Sequence, residues 1–252
     1  MNTTEIDVNA AGHDDLGVFY SQPHADEKQV ALSARIDMYA LLADIFRYPD
    51  PMTLLYVRKG EFKNNLLSMA KKLPYNLTIS AQESADLAFA ENLKEDEVEV
   101  EFIRLFEAGP GHPPCPLVEG VHTDKEEGRK SVFKDLILFY NHFGLSYAEG
   151  SSEDRADHLI YELEFLHYLS FLELTAIQKG RDGNPLRRAQ RDFLERHLSK
   201  WTGVISNRMK EIEAGLKEGV NRDVIRFYRN AIVLLDRFVQ SDYEYLKAST
   251  SN

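Results

Sequence analysis

Hydrophobic residues recur at helical spacing through most of the chain, and this pattern begins only after a polar N-terminal segment. Residues 1–25 are acidic and lack apolar periodicity, so we expect a mobile acidic tail there. Over about residues 25–47 the apolar positions repeat every three or four residues, which predicts a first helix. The positions concerned are Val30, Ala34, Met38, Leu41, Leu42, Ile45 and Phe46.

The same periodicity predicts most of the remaining helices. They are expected over about residues 51–73, 81–93, 96–106, 124–143, 155–179, 184–197 and 221–246, with another that contains Trp201 and Met209. Gly60 is a weak point in the second of these helices. Ser80 with Glu83 has the pattern of a capping box at the start of the third. Gly144 suits the position just after a helix, and Asn184-Pro185 suits a helix start.

No segment combines strict alternation with β-branched residues, so the predicted fold class is all-α. We expect a single-chain helical bundle of about eight or nine helices over residues 26–246, with a tail over 247–252. Its two halves are expected to meet at a hinge near residues 144–155, where Gly150-Ser151-Ser152 interrupts the helical pattern.

A proline-rich loop, Gly109-Pro110-Gly111-His112-Pro113-Pro114-Cys115-Pro116, separates two of the predicted helices. Each proline fixes its own φ and restricts the residue before it, so this loop is stiff. It could be a structural connection that sets the angle between two helix pairs. It could also form part of a recognition surface, because a stiff loop loses little entropy on binding.

Composition fits a soluble domain with a sizeable core. Hydrophobic residues make up 43% of the 252 residues and charged residues 28%. No apolar run approaches the ~20 residues that a membrane span needs, and the N-terminus lacks the pattern of a secretory signal. Cys115 is the single cysteine, which excludes an internal disulfide and favours a reducing compartment. We therefore expect a cytoplasmic protein without stable membrane insertion.

The net charge of -11 narrows the class of partner. Nucleic-acid binding depends on clustered lysine and arginine residues that neutralise phosphates, and this chain has no such cluster. An acidic surface serves solubility, and it would also suit a basic peptide. The sequence thus excludes nucleic acid as the expected partner and leaves a basic peptide open.

Two Glu-x-x-His patterns raise the question of a metal site. They are Glu119 with His122 and Glu164 with His167. Di-iron helical bundles combine two such motifs with two further glutamates that point inward from helices. Further glutamates of that kind are not evident, so we interpret these residues as ion pairs on helix surfaces.

His112 and Cys115 are too few ligands for structural zinc, which takes four. Cys115 has prolines as neighbours, and prolines provide no N–H groups for an oxyanion hole. A small buried residue is the better interpretation of Cys115. No Gly-rich phosphate loop and no Gly-x-Ser-x-Gly motif occurs, and we expect neither catalysis nor a bound cofactor.

Asp157 and His158 stand at the start of a predicted long helix. Asp154 or Asp157 can cap the helix, and His158 and Glu162 are spaced to hydrogen-bond on one face. These roles explain the residues structurally. The functional alternative is a polar cluster in which Asp157 and Glu162 receive a cation from a partner.

Three motifs follow one another along the chain in a specific order. The first runs from Glu101 to Phe106, continues through the proline-rich loop and ends at Glu119. The second is Asp157-His158-Leu159 followed by Glu162-Leu163-Glu164-Phe165-Leu166, and the third comprises Phe193, His197-Leu198 and Trp201. Together they resemble the signature of the TorD/DmsD/NarJ family, cytoplasmic chaperones for the maturation of molybdenum oxidoreductases. The resemblance covers about residues 31–238.

Two positions depart from the pattern of that family. Arg155-Ala156 stands where the family often has Glu-Pro, and Gly120-Val121-His122 stands where a Ser-Val-Tyr-like stretch often occurs. The pattern looks most like the branch that serves enzymes of the type II dimethyl sulfoxide reductase group. The loop and the hinge could therefore be adapted to a particular client enzyme.

The resemblance implies an all-helical chaperone that binds the N-terminal twin-arginine signal peptide of a catalytic subunit. Binding would hold back export until the molybdenum cofactor is inserted. Paired carboxylates suit the planar fork of arginine, and apolar helix faces suit the apolar part of such a peptide. We expect the client to contact Asp157, His158 and Glu162, with Glu119 and Glu101 as weaker candidates. Leu105, Phe106 and Tyr140 are candidates for an apolar wall of the groove.

Two other classes of function compete with a chaperone. A helical metalloprotein would use Glu164, His167, Glu119 and His122 as ligands. A scaffold protein would use the proline-rich loop only to join subdomains. In each case the chain could be a monomer or a small homo-oligomer.

Overall fold

The computed structural model describes residues 26–109, 111–122, 126–146 and 155–250, and it forms a helical bundle. The α-helices in these ranges are α1 (Glu27–Ile45), α2 (Pro51–Arg58), α3 (Glu61–Ala70), α4 (Ala81–Ala85), α5 (Glu95–Phe102), α6 (Glu126–His142), α7 (Leu159–Gln178), α8 (Asn184–Arg196), α9 (Leu198–Ala214) and α10 (Arg222–Thr250). No β-strand occurs within the described ranges. The predicted all-α class is confirmed.

The first two helices begin at residues whose capping and proline chemistry favours a helix start. The Asp26 carboxylate accepts a hydrogen bond from the Lys28 N–H and starts α1. Asp50 caps α2 through the Thr53 N–H at 2.7 Å, and Pro51 occupies the first turn. The helix predicted over 51–73 is divided, because Gly60 adopts a left-handed φ of 72°. That conformation favours glycine and cannot continue a right-handed helix.

The prediction of a helix over residues 81–93 is wrong beyond the first turn. The capping box is present, with Glu83 N–H donating to Ser80 Oγ at 3.2 Å and Ser80 N–H to Glu83 Oε2 at 2.8 Å. However, α4 ends at Ala85. Leu87 and Phe89 are both buried, and residues two apart cannot face one side of a helix. Packing in the core therefore overrides helical propensity here.

The proline-rich loop folds back onto the helix before it. After α5, residues 103–107 form one widened π-helical turn. The Cys115 N–H donates to the Leu105 carbonyl at 2.8 Å, and the Cys115 thiol is buried against the Ile205 carbonyl. Burial raises the pKa of this thiol to about 12. The interpretation of Cys115 as a small buried residue is confirmed, whereas Pro110 lies outside the described residues.

Five long helices build the centre of the bundle. Helix α1 packs along α7, α10 packs along α9, and α8 fits between α7 and α10. Helix α6 lies against these helices through Leu136 and Tyr140. Helix α10 continues to Thr250, four residues beyond the predicted end at 246. The predicted tail over 1–25 and residues 147–154 of the predicted hinge lie outside the described residues.

A buried polar network crosses the centre of the bundle. The Arg35 guanidinium donates to Asp242 at 2.6 and 2.8 Å and to Gln190 at 2.7 Å. The same carboxylate accepts from the hydroxyls of Tyr39 and Tyr75. Burial lowers the pKa of Arg35, but the charge and hydrogen bonds of Asp242, together with Tyr39 and Tyr75, outweigh this and raise it. The network therefore ties together α1, α8, α10 and the loop after α3.

The substitution Asp242→Asn tests this network. It removes the counter-charge but keeps the shape of the side chain, so the Arg35 guanidinium is left buried without its main partner. We expect the free energy of unfolding to fall by about 3 kcal/mol, the low end for a broken buried pair. Glu173 lies 3.9 Å from Arg35 and compensates in part. Denaturant unfolding measures the loss, and Glu244→Gln on the exposed side of α10 is the matched control.

Candidate functional site

The segment that follows the proline-rich loop pairs with the residues that open α7. Val118 and His158 form an isolated antiparallel β-bridge. The Glu119 N–H donates to the Asp157 carbonyl at 2.8 Å, and the Leu159 N–H donates to the Leu117 carbonyl at 2.9 Å. We call residues 117–122 the connecting segment. Its pairing brings the first and second sequence motifs together.

Asp157 lies inside this junction. Its carboxylate accepts hydrogen bonds from the Gly120 N–H at 3.1 Å and from the Arg155 guanidinium at 3.0 and 2.9 Å. A Cβ at Gly120 would lie 2.6 Å from Asp157 Oδ2, so only glycine permits this close approach. Asp157 is buried, and its oxygens have partners within the chain.

Glu119 and Glu162 lie next to Asp157, and we call these three residues the carboxyl cluster. Glu119 Oε2 lies 2.9 Å from His197 Nδ1, and Glu162 Oε2 accepts from the Trp201 indole N–H at 3.3 Å. Both glutamates are buried. Burial first, and then the charge of Glu119, raise the pKa of Glu162 well above its usual range.

The carboxyl cluster explains the third sequence motif. His197 and Trp201 were not predicted to be site residues, yet they supply the polar partners of Glu119 and Glu162. The His122 ring stacks on the Trp201 indole with ring centroids 5.6 Å apart. The three motifs, far apart in sequence, therefore meet at one junction.

His158 caps α7 with its side chain. Its Nδ1 atom accepts a hydrogen bond from the Ile160 N–H at 3.3 Å, a role that requires this nitrogen to carry no proton. Burial above all lowers the pKa of His158 to about 4, the charge of Asp157 opposes this shift, and the charges of Arg155 and Arg47 contribute to it. The prediction that Asp157 caps this helix is wrong, because the Asp157 carboxylate is bound by Gly120 and Arg155 and His158 is the capping residue; Asp154, the other predicted cap, lies outside the described residues.

The candidates for an apolar wall are all buried. Leu105 and Phe106 pack in the core, where the Phe106 ring contacts Phe46 and Tyr228. The Tyr140 hydroxyl donates to the Ala156 carbonyl at 2.9 Å. A peptide would reach these side chains only if they became exposed, so their role in binding stays a prediction.

Glu101 is also engaged within the chain. Its carboxylate accepts two hydrogen bonds from Arg104, at 2.8 and 2.9 Å, and one from the Asn221 N–H at 2.9 Å. It lies in the wall of a shallow cavity of about 400 Å³, whose lining includes Asp96, Glu97 and Val100. A second shallow cavity of about 450 Å³ lies beside Tyr75 and Tyr245.

The two Glu-x-x-His motifs do not converge. Glu164 pairs with Arg47, and His167 Nδ1 lies 3.1 Å from the Ile36 carbonyl. His122 Nε2 lies 2.8 Å from the Pro116 carbonyl. Across the described ranges, no group of three or more His, Cys, Asp and Glu side chains is arranged to hold a metal ion.

Sequence reasoning missed an exposed apolar surface where α1 connects to α2. Tyr48 is 47% exposed, Met52 73% and Leu55 39%, and we call these residues the apolar surface. The Tyr48 ring lies edge-on to Phe102 at 5.8 Å. Its phenol pKa is raised by partial desolvation and by the neighbouring Glu99 and, to a smaller extent, Glu107.

The surroundings of the apolar surface are strongly acidic. Residues 91–107 contain seven acidic and two basic residues. Arg104 pairs with Glu101, while Glu99 and Glu107 lie near the exposed Tyr48 ring. The signal in the sequence was the density of glutamates in this stretch, combined with Tyr48 and Met52 on either side of two prolines.

Comparisons with known proteins match the sequence of this chain to one family. A family model described as nitrate reductase delta subunit matches residues 71–207. The selenate reductase assembly chaperone protein of Thauera selenatis is 38% identical over 124 residues, 48% of this chain and 62% of that protein. The chlorate reductase assembly chaperone protein of Ideonella dechloratans is 37% identical over 121 residues, again 48% and 62%.

The perchlorate reductase assembly chaperone protein of Dechloromonas aromatica is 33% identical over 150 residues, 59% of this chain and 61% of that protein. The matched region thus spans 61–62% of the length of these three relatives. Among the described helices, none is long and apolar enough to cross a membrane.

The low pKa of His158 predicts a loss of stability in acid. The folded state keeps His158 neutral down to about pH 4, whereas the unfolded chain takes up the proton near its ordinary pKa of about 6.5. Stability from this residue is therefore present above pH 6.5 and is lost as the pH falls towards 4.

His158→Asn should flatten the dependence of unfolding free energy on pH in that range, because asparagine caps a helix without titrating. His158→Ala should flatten it too, but at a cost of about 1 kcal/mol at neutral pH for the lost cap. Denaturant unfolding at several pH values checks both. An asparagine variant that keeps the acid dependence of the wild type would assign that dependence to another group.

Proposed function

The chain belongs to the nitrate reductase delta subunit family, the group of NarJ- and TorD-type chaperones, and on this basis we propose that it is an assembly chaperone for a molybdenum oxidoreductase. Its three similar relatives are named as assembly chaperones for selenate, chlorate and perchlorate reductases. Their names support the type II dimethyl sulfoxide reductase branch suggested by the sequence. The client would be the catalytic subunit of such an enzyme.

The observation that carries this proposal is the apolar surface beside Glu99 and Glu107. A twin-arginine signal peptide presents two guanidinium groups followed by an apolar segment. Half-buried Glu99 and exposed Glu107 offer charge-assisted hydrogen bonds to arginine, and exposed Tyr48 and Met52 offer area for apolar contact. The surface therefore has both features that the peptide requires.

Binding without turnover is the action that these residues support. The peptide would lie across α2 and α5, and its arginines would pair with glutamates that already face solvent. Pairing there costs less desolvation than pairing with buried acids. While the peptide is bound, export of the client would be delayed until the molybdenum cofactor is in place. This action belongs to the cytoplasm, and the chain itself would catalyse no reaction.

Asp157, His158 and Glu162 have a different place in this proposal. Their side chains are buried or half-buried and have partners within the chain. They set the geometry of the junction between the connecting segment and α7. Direct contact of Asp157 or Glu162 with an arginine of the peptide remains our earlier prediction, and it requires the junction to open.

Titration calorimetry with a twin-arginine signal peptide of a type II dimethyl sulfoxide reductase-group enzyme tests the proposed surface. Glu99→Gln and Met52→Ala should each weaken binding about tenfold, which is about 1.4 kcal/mol, because one removes a counter-charge and the other apolar contact area. The matched controls are Glu211→Gln and Val204→Ala, at exposed positions of α9. Unchanged affinity in both test variants would place the peptide elsewhere.

Replacing both arginines of the peptide by lysines separates charge from geometry. We expect weaker binding although the net charge is unchanged, because lysine cannot make the bidentate contact of a guanidinium with a carboxylate. Asp157→Ala and Glu162→Ala, checked for retained helical content, show whether buried acids contribute. Equal binding of both peptides would leave only apolar contacts and net charge as determinants.

A further inference from the structure

The carboxyl cluster holds more carboxyl groups than cations. Arg155 pairs with Asp157, and Arg196 pairs with Asp135 at the edge of the cluster. Glu119 and Glu162 then remain with His197, whose ring can carry at most one positive charge. Two ionised glutamates at this depth would leave at least one buried negative charge uncompensated, which is strongly unfavourable.

One oxygen of the cluster has no donor. Glu162 Oε1 is buried and accepts no hydrogen bond from the described residues. Glu119 is a neighbour of Glu162 in the cluster, and two carboxyl groups can hydrogen-bond to each other only if one of them carries a proton. Glu119 is the ionised partner in this arrangement, because its Oε2 atom already lies against the His197 ring.

We propose that Glu162 is a neutral carboxylic acid that donates a hydrogen bond to the Glu119 carboxylate. This hydrogen bond, made with one buried proton, holds the connecting segment against α7. The arrangement satisfies Glu162 Oε1 and balances the charge of the cluster. Loss of the proton places two negative charges against each other and weakens the junction. The contact between the three sequence motifs therefore depends on this proton, and we call the hydrogen bond between Glu162 and Glu119 the latch.

The charged and polar groups of the cluster and its edge come from four parts of the chain. They are Glu119 and His122 of the connecting segment, Asp135 and Tyr140 of α6, Arg155 and Asp157 before α7, and Arg196, His197 and Trp201 of the α8–α9 region. Arg129 lies beside Gly120, but it is exposed, and solvent screens its charge.

The direct test is spectroscopic and needs no variant to fold. Carbon-13 labelling of glutamate side chains, followed by carboxyl chemical shifts, reports each protonation state. At about pH 7, where an ordinary glutamate is ionised, we expect one protonated glutamate signal in the wild type. That signal should vanish in Glu162→Gln and persist in Glu211→Gln, which makes the same change at an exposed site. A wild-type spectrum in which every glutamate is ionised at this pH overturns the proposal.

The second test is the dependence of stability on pH. A raised pKa means that the folded state keeps a proton which the unfolded chain has released, so stability falls as the pH rises from the ordinary glutamate range through the folded-state pKa. The folding equilibrium constant of the wild type should fall by up to about tenfold per pH unit from this proton. Glu162→Gln keeps an N–H donor towards Glu119 and should lack this loss.

Glu119→Gln provides an independent variant. It retains Glu162 but removes the neighbouring charge, which lowers the folded-state pKa of Glu162, so the loss of stability with rising pH should end at a lower pH and be smaller in total than in the wild type. Glu211→Gln should follow the wild-type profile. Parallel profiles for the wild type and for both cluster variants would show that Glu162 is ionised in the folded state, and the latch would be rejected.

Discussion

Burial of the Arg35 guanidinium is the constraint on which the bundle depends. A charge at the centre of a helical core is tolerated only when every donor has an acceptor, and Asp242 and Gln190 fill that need. Those acceptors come from α10 and α8, so the position of α1 fixes where both helices can lie. Tyr39 and Tyr75 complete the set of donors to Asp242, and the loop after α3 is held by the same carboxylate.

The acidic residues of this protein divide into two groups with opposite roles. Asp157, Glu119 and Glu162 are enclosed, and each hydrogen-bonds to neighbours in the chain through at least one carboxyl oxygen. Glu99 is half-buried and Glu107 is exposed, and both lie beside the exposed Tyr48 ring, where we propose that a partner binds. A net charge of -11 describes both groups equally. Only their burial distinguishes the acids that shape the fold from those suited to binding.

Helical periodicity and capping predicted the fold class and most helix positions, because both are local. Ser80 with Glu83 and Asn184 with Pro185 signalled helix starts correctly. The end of α4 at Ala85 was missed, because Leu87 and Phe89 follow the shape of the core rather than helical spacing. The pairing of Arg35 with Asp242 was missed for a related reason, since nothing near either residue indicates its partner.

The candidate site was predicted in part for similar reasons. The motif order brought attention to Asp157, His158, Glu119 and Glu162, and the structure does place them together. Whether a side chain at such a motif faces solvent depends on distant elements, here Gly120 and Trp201, and periodicity does not report it. Tyr48 and Met52 were overlooked, because apolar residues next to a helix boundary are expected to be core.

The distance along the chain between Arg35 and Asp242 also has a consequence for biosynthesis. The two residues are 207 positions apart, and a ribosome adds roughly 5–20 residues per second. For roughly 10 to 40 seconds, helix α1 therefore exists without the carboxylate that permits its burial. The core can close only after α10 has left the ribosome. This chaperone would itself be a late-folding protein, exposed as a nascent chain to the same hazards from which it is proposed to shield its client.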